Sequence, residues 1–419
     1  MLRRRSMHAA LMVAALVPMM VSAGDWPAWR GANSSGVAPD GTYPVNFSKT
    51  EGLRWRVDLP GRGCSTPVIS KNQLWLTSVD EGENVLLCYS LAGEALWSRR
   101  LGKATAGSNQ RGTGANPSPV TDGKHVVAYF KSGTVACFDI SGKALWTVEL
   151  SKGYPEGSLQ WDVGSSPLIY KDTAILTVLQ TGSSFLVAFD LESGEERWRV
   201  DRPFTVPTEN NEAYCTPVLA RPGGRETIVV WGADHLTGHD PTNGKQLWVC
   251  DGFNPREQRN WRVIASVAVD GDYVLVPYAR GKYLAGVKLE AKGDSVVPTL
   301  VWERKGVSAD TPTPAVRDGI AYVLSDRGVL DAVNMTDGSV LHSLTLPDVK
   351  GKFFASPLLA GDTIYCAADD GTVFIVKVSD DGLIHLRSNR MEDVLVASPV
   401  PVEGGLLLRS MKALYCIGN

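Results

Sequence analysis

Residues 186–200 read Leu-Val-Ala-Phe-Asp-Leu-Glu-Ser-Gly-Glu-Glu-Arg-Trp-Arg-Val. Apolar residues alternate around Leu186 and Ala188, the pattern of a half-buried β-strand. Ser193-Gly194 supplies the tight turn, because Gly takes the positive φ such a hairpin needs. Trp198 follows Gly194 by four residues and begins a return strand. The unit recurs: Ala136-Cys137-Phe138-Asp139 leads to Gly142 and Trp146, Cys88-Tyr89-Ser90-Leu91 to Gly93 and Trp97, and Gly238-His239-Asp240 to Gly244 and Trp248. Recurrence at long period identifies a repeat architecture and decides the fold.

Each repeat opens on a small hydroxyl residue followed by Pro, or a variant of that pair. The pairs are Thr66-Pro67, Ser118-Pro119, Ser166-Pro167, Thr216-Pro217, Ser266-Val267, Thr313-Pro314, Ser356-Pro357 and Ser398-Pro399. Their second residues are spaced by 52, 48, 50, 50, 47, 43 and 42. A period of about 40–50 residues holds four short strands and their turns, one blade of a β-propeller. The last unit, from Leu395 onward, has room for three strands only, whereas Leu53 to Leu59 reads as an isolated Trp-bearing strand. The expectation is an all-β, eight-bladed propeller of four-stranded antiparallel blades, in which strand 53–59 completes the last blade and removes the open edge. Pro at a strand start fits the inner strand, which has an edge on the central channel. The Trp strand is then outermost, its indole flat against the next blade. Trp55, Trp97, Trp146, Trp198, Trp248 and Trp302 fill that seam in six units; His342 and Leu386 stand at the other two, which are expected to be weaker. Blade 5 carries a longer polar insert, Glu290 to Pro298, ahead of Trp302.

The chain of 419 residues is 44% hydrophobic, ample for a large core and too long for one ordinary compact domain that is not a repeat ring. Arg3, Arg4 and Arg5, the apolar run Ala9 to Val21 and the small residues Val21-Ser22-Ala23 have the layout of a secretory signal, with cleavage expected after Ala23. Without those three arginines the balance is 39 basic against 45 acidic residues, about −6, and no basic patch points to nucleic acid. No later stretch could cross a bilayer as a helix. With no Cys at the cleavage point, a lipid anchor there is not expected. The domain layout is therefore signal peptide 1–23, irregular lead-in 24–52 and propeller 53–419, in a periplasmic or secreted monomer. Of seven cysteines, Cys88, Cys137 and Cys416 share the place held by Ala188 and read as small buried apolar residues. A disulfide among Cys64, Cys215, Cys250 and Cys366 stays open. No Cys/His cluster has zinc spacing. His235 and His239 lie four apart on a strand, where that spacing need not converge on a metal.

Ala/Val-x-Asp, a turn, then Gly-x-x-x-Trp resembles the PQQ-like propeller repeat over roughly 53–419. Two families share that repeat. Quinoprotein alcohol dehydrogenases hold pyrroloquinoline quinone (PQQ) and calcium over the channel. BamB-type proteins are non-enzymatic scaffolds of outer-membrane protein assembly. The lead-in Trp26-Pro27-Ala28-Trp29-Arg30-Gly31 is similar to the start of secreted bacterial PQQ-like repeat proteins. Its two tryptophans are expected to clamp across the ring. The adjacent cysteines and long pocket-forming insertions of the dehydrogenases are missing, and so is the anchoring Cys of BamB-type proteins. The resemblance therefore implies a non-catalytic binding or assembly platform for envelope or outer-membrane proteins or polysaccharide, with no cofactor. The alternative is an oxidoreductase using PQQ and calcium.

Loops that run from the outer strand of one blade to the inner strand of the next surround the channel mouth, a concave place of the kind ligands use. Loops 102–117, 151–165, 201–215, 252–263 and 303–312 are rich in carboxylates, amides, arginines and aromatics. The candidate binding site is Trp161, Asp162, Glu209, Glu212, Arg259, Trp261 and Arg262. Oxygen ligands such as Asp162, Glu209, Glu212 and Asp310 suit a hard cation, and the two indoles suit a planar or sugar ring. In the competing reading these charges pair with one another and cap the channel, with the tryptophans packed between loops. No nucleophile triad or phosphate cradle is supported.

Overall fold

The computed structural model describes residues 24–155, 157–207 and 209–418; the signal segment lies outside them. Eight four-stranded antiparallel sheets form the blades of a closed ring, joined by a two-residue ribbon, Gly157–Ser158 with Thr181–Gly182, on the loop face of blade 3. The first blade comprises Val68–Ser70, Gln73–Asp80, Glu83–Ser90 and Ala95–Lys103, from channel to rim. In the last blade, Val400–Val402, Gly405–Arg409 and Ala413–Gly418 are completed at the rim by Leu53–Asp58. Trp55 lies opposite Cys416 across that closing pair. The insert of blade 5 is not a loop: it lengthens the two outer strands into the hairpin Tyr283–Lys292 and Ser295–Lys305.

The opening pairs hold the ring together in a way their prolines did not reveal. The backbone N–H of Thr66 donates to Ser118 Oγ at 2.9 Å, Ser118 to Ser166 at 3.0 Å, Ser166 to Thr216 at 3.0 Å and Thr216 to Ser266 at 2.8 Å. Ser266 donates to Thr313 at 2.8 Å, Thr313 to Ser356 at 2.9 Å, Ser356 to Ser398 at 3.1 Å, and Ser398 back to Thr66 at 3.2 Å. No strand pairs with this position, just ahead of the inner strand, so its N–H would otherwise be an orphan in the interior. Each blade satisfies it with the hydroxyl of the next. Blade 5, with Ser266-Val267, keeps the hydroxyl and dispenses with Pro, so the hydroxyl is the constant.

The indoles close the seams nearer the rim. Nε1 of Trp55, Trp97, Trp146 and Trp302 donates to the carbonyl of Leu91, Ile140, Leu191 and Met335 in the following blade. Each ring lies on the turn glycine of that blade; a Cβ on Gly194, whose φ is 73°, would stand 2.5 Å from the Trp146 ring. The glycine is thus fixed twice, by its left-handed backbone and by the indole above it. His342 occupies the Trp position of blade 6, opposite Ala332 and against Gly382 of blade 7. In blade 7 the outer hairpin turns more tightly, with Gly382 already paired to Ser379, so the residue opposite Ile375 at the seam is Arg387, five after the Gly, and Leu386 stands 44% exposed. All seven cysteines are free and buried.

The lead-in crosses the channel on the face away from the mouth loops. Trp26 forms a two-way backbone bridge with Ile69 of blade 1, and Pro27 O accepts from Thr121 of blade 2. Eight residues later Ser35 O accepts from Val316 of blade 6, and Gly36 and Ala38 pair with Leu359 of blade 7. Blades 2 and 6 face each other across an eight-membered ring, so the intervening turn spans the opening. Its Arg30 is 3% exposed and donates to Pro357 O at 2.5 Å and Pro314 O at 3.0 Å.

The two devices should be separable by denaturant melts. Ser118→Ala strips the acceptor from Thr66 N–H and should cost about 1–3 kcal/mol, while Ser118→Thr should change stability little. Trp146→Ala should cost about 3–5 kcal/mol, well beyond His342→Ala at the weaker seam.

Candidate functional site

Six blades carry a polar or charged residue two positions after their second strand: Lys131, Gln180, Asp234, Arg280, Asp326 and Asp369. Five of these side chains are seen to tie down the mouth loops. Lys131 Nζ donates to Ala106 O, Ser108 Oγ and Asp162 Oδ1, the last at 2.6 Å. Asp234 accepts from the Asn210 and Asn254 amides at 2.9 and 2.8 Å. Arg280 donates to Asn260 O and to Glu209 Oε1 at 2.5 Å. Asp326 accepts from the N–H groups of Asp310 and Thr311, and Asp369 from that of Lys352.

The seven candidate residues fall into separate neighbourhoods. Asp162 is 6% exposed and, besides Lys131, takes the N–H of Ser108 at 2.7 Å. Glu212, also 6% exposed, accepts from Tyr214 Oη at 2.6 Å and from the Gln160 N–H at 3.1 Å. Burial, then this bond to Glu212, holds the Tyr214 phenol well above its ordinary value. The backbone N–H of Trp161 donates to the same Tyr214 oxygen, and the indole is left 37% exposed. These three form a group between blades 2 and 3. A second group lies between blades 4 and 5. Arg262 Nη2 donates to Asp310 Oδ2 at 3.1 Å, its Nε is 3.9 Å from Glu209, and Trp261 packs against Tyr283 and Tyr278. Burial raises the carboxyls of Asp310 and Asp326, and each lies close enough to affect its neighbours. Arg259 is exposed on a different cleft, beside Asp234, His235 and Glu257.

Loop 102–117 lies over the mouth itself. Ser108 is bonded to Asp162 at the blade 2–3 junction, yet three residues on Arg111 Nε donates to Asp369 Oδ2 of blade 7 at 2.8 Å. Arg62 Nη2 holds Gln110 O, and the Cys64 thiol donates to Arg111 O. A loop that bonds both sides of an eight-bladed ring covers its centre.

Calcium with PQQ, the group the dehydrogenase resemblance implies, needs free oxygen donors converging on an open mouth. Asp162, Glu209 and Asp310 are each matched by Lys131, Arg280 or Arg262, Glu212 is bonded to Tyr214, and the loop occupies the centre. No cluster of three or more His, Cys, Asp or Glu suited to a metal occurs among the described residues. These residues do not fit that group. Sequence reasoning missed the turn residues, whose equal position in six repeats was the available signal.

Removing one partner of a buried pair should expose how far the mouth depends on these matches. Lys131→Met should lower stability by about 3–5 kcal/mol by leaving Asp162 uncompensated. The double variant Lys131→Met/Asp162→Leu should recover much of that loss, read as a coupling energy in a double-mutant cycle.

No curated protein matches the chain in sequence. Among solved structures it superposes on BamB from Moraxella catarrhalis with a TM-score of 0.61 at 16% identity, covering 88% of this chain and 97% of that one. Quinohemoprotein alcohol dehydrogenase from Comamonas testosteroni gives 0.65 at 12% identity, covering 94% and 80%. The computationally designed Ika8 protein gives 0.60 at 13% identity, covering 86% and 98%. Likeness at these identities establishes the fold and leaves the activity to the site. In sequence, a family profile matches residues 45–209, 131–295 and 286–390, overlapping windows that together take in most of the ring. With the ring closed by its first strand and the family profile matched over residues 45–390, the chain belongs to the PQQ-like repeat family described as outer membrane protein assembly factor BamB.

Proposed function

We propose that the protein is an exported, non-catalytic platform that binds proteins of the cell envelope through the loop face of its propeller. The observation that carries this reading is the covered mouth: loop 102–117 bridges Asp162 and Asp369, and the carboxylates around it are matched from within the chain. What this face offers a partner is a set of loops pinned by the turn residues beneath them. Pre-organised loops lose little conformational entropy on association. The family description supports an assembly role in the envelope. Residues 1–23 are read as the export signal, so the mature chain begins at Gly24. No helix of the described residues is long and apolar enough to cross a membrane.

The tagged protein should capture one or a few envelope proteins from its own source. That capture should be lost when loop 151–162 is replaced by a Gly/Ser linker and kept when Leu96 at the rim is changed to Ser. Capture indifferent to the loop exchange would sink the reading, as would saturable dye reduction on adding PQQ with calcium. N-terminal mass analysis of the exported protein should find Gly24 first.

A further inference from the structure

Each blade ends at the rim in a strand whose outer edge lies outside its sheet. Charged side chains and prolines on such an edge keep other chains from pairing with it. Six of the eight rim strands carry a charge, as Arg56, Arg100, Glu149, Arg199, Lys305 and Arg387 show. Two carry neither a charge nor a proline. Gln246–Cys250 of blade 4 buries Trp248 and Cys250. Val340–Thr345 of blade 6, Val-Leu-His-Ser-Leu-Thr, buries no residue, and Val340 and Leu341 stand 37% and 43% exposed. This strand pairs on its inner side with Val329–Asn334 and ends its sheet.

The hydrogen-bond alternation shows which backbone groups face out. Leu346 N–H donates to Gly328 O at 2.8 Å, one step beyond the pair formed by Thr345 and Val329. In an antiparallel ladder bonded and unbonded pairs alternate, so Leu344 and His342 turn their N–H and C=O groups inward, and Ser343 and Thr345 turn theirs outward. Val329, opposite Thr345, bonds Ser325 with both its backbone groups, at 2.9 and 2.8 Å. Ser343 and Thr345 are both exposed. Toward Val340 the bulge at Leu341 ends the regular edge.

A row of outward N–H and C=O groups is matched in spacing and polarity by another extended backbone. The strand's six residues span about 20 Å. Two convex discs meeting along one such strand would touch over little more than its width, below the roughly 1,000 Å² that a stable protein interface clears. A second copy of the ring is therefore not the occupant, whereas a flexible extended segment can follow the edge. We infer that the outer edge of blade 6, centred on Ser343 and Thr345, takes up an extended peptide segment of a protein partner as a fifth strand. The site is on the rim, so the inference goes beyond the loop-face platform and neither reading needs the other.

Fluorescence anisotropy tests it on the purified mature protein with a labelled, blocked heptapeptide, Ser-Thr-Val-Thr-Val-Thr-Ser. The peptide should bind saturably. The same peptide with every interior amide N-methylated keeps its side chains and loses its donors, and should bind at least about tenfold more weakly. That comparison needs no change to the protein. Thr345→Pro removes one outward N–H and no bond within the blade, and proline is tolerated where an edge N–H faces solvent. It should weaken the peptide by about tenfold or more with the melting temperature unchanged, while Thr345→Val, which keeps the N–H, should bind as the parent does. No saturable binding, equal binding of the N-methylated peptide, or unchanged affinity in Thr345→Pro would each overturn the inference. So would a dimer in sedimentation that Thr345→Pro dissolves, because the edge would then belong to a second copy.

Discussion

One backbone N–H per blade sets the terms for the whole molecule. At the narrow waist of a propeller the inner strand has a neighbour on one side only, and its other edge faces the channel. The hydroxyl of the following blade accepts the N–H just ahead of that strand, and eight such bonds return to their starting point when Ser398 reaches Thr66. Each bond contributes modestly by itself, roughly 1 kcal/mol net. Its larger effect is on geometry, because leaving any one unmade would strand a buried donor. The blades are therefore held at equal angular steps near the axis. The indoles, farther out, take up whatever variation the sequence allows. That division of labour explains how seams can differ, with Trp146 at one and His342 or Arg387 at others, while the waist keeps its hydroxyl in every unit.

The same logic governs the mouth. A long loop between blades is an entropic liability unless something fixes it. Here, in five blades, the residue two positions after the second strand reaches up and does so, as Lys131, Asp234, Arg280, Asp326 and Asp369 show. Charges that looked in sequence like a converging set of ligands are spent on holding their own loops. The face that results is firm and largely neutralised.

Fold was legible from the chain alone because its signals are local and repeat. Gly-x-x-x-Trp and the hydroxyl-Pro pairs each lie within a few residues, and their period counts the blades. The split last blade was legible for the same reason, since a lone Trp strand at 53–59 matched three strands at the end. The role of the hydroxyl was not, because its partner stands a whole repeat away, as Ser118 does from Thr66. Leu386 was misplaced by one residue because the outer turn of blade 7 is tighter than the others, with Gly382 already in the strand opposite Ser379. At the site, residue types were readable and pairings were not: nothing adjacent to Asp162 names Lys131, or next to Arg111 names Asp369.

The strand made first, Leu53–Asp58, completes its sheet only beside the strand made last, Ala413–Gly418. Gly418 N–H meets Gly52 O at 2.8 Å, so the two ends of the ring are neighbours in space and extremes in sequence. Contacts of that separation close slowly. Until the C-terminal residues arrive, the chain is an arc with a bare edge at both ends, open to pairing with another copy. Closure therefore waits for the last strand and comes as one late pairing step. The seam between its two ends is then the natural place for disassembly to begin.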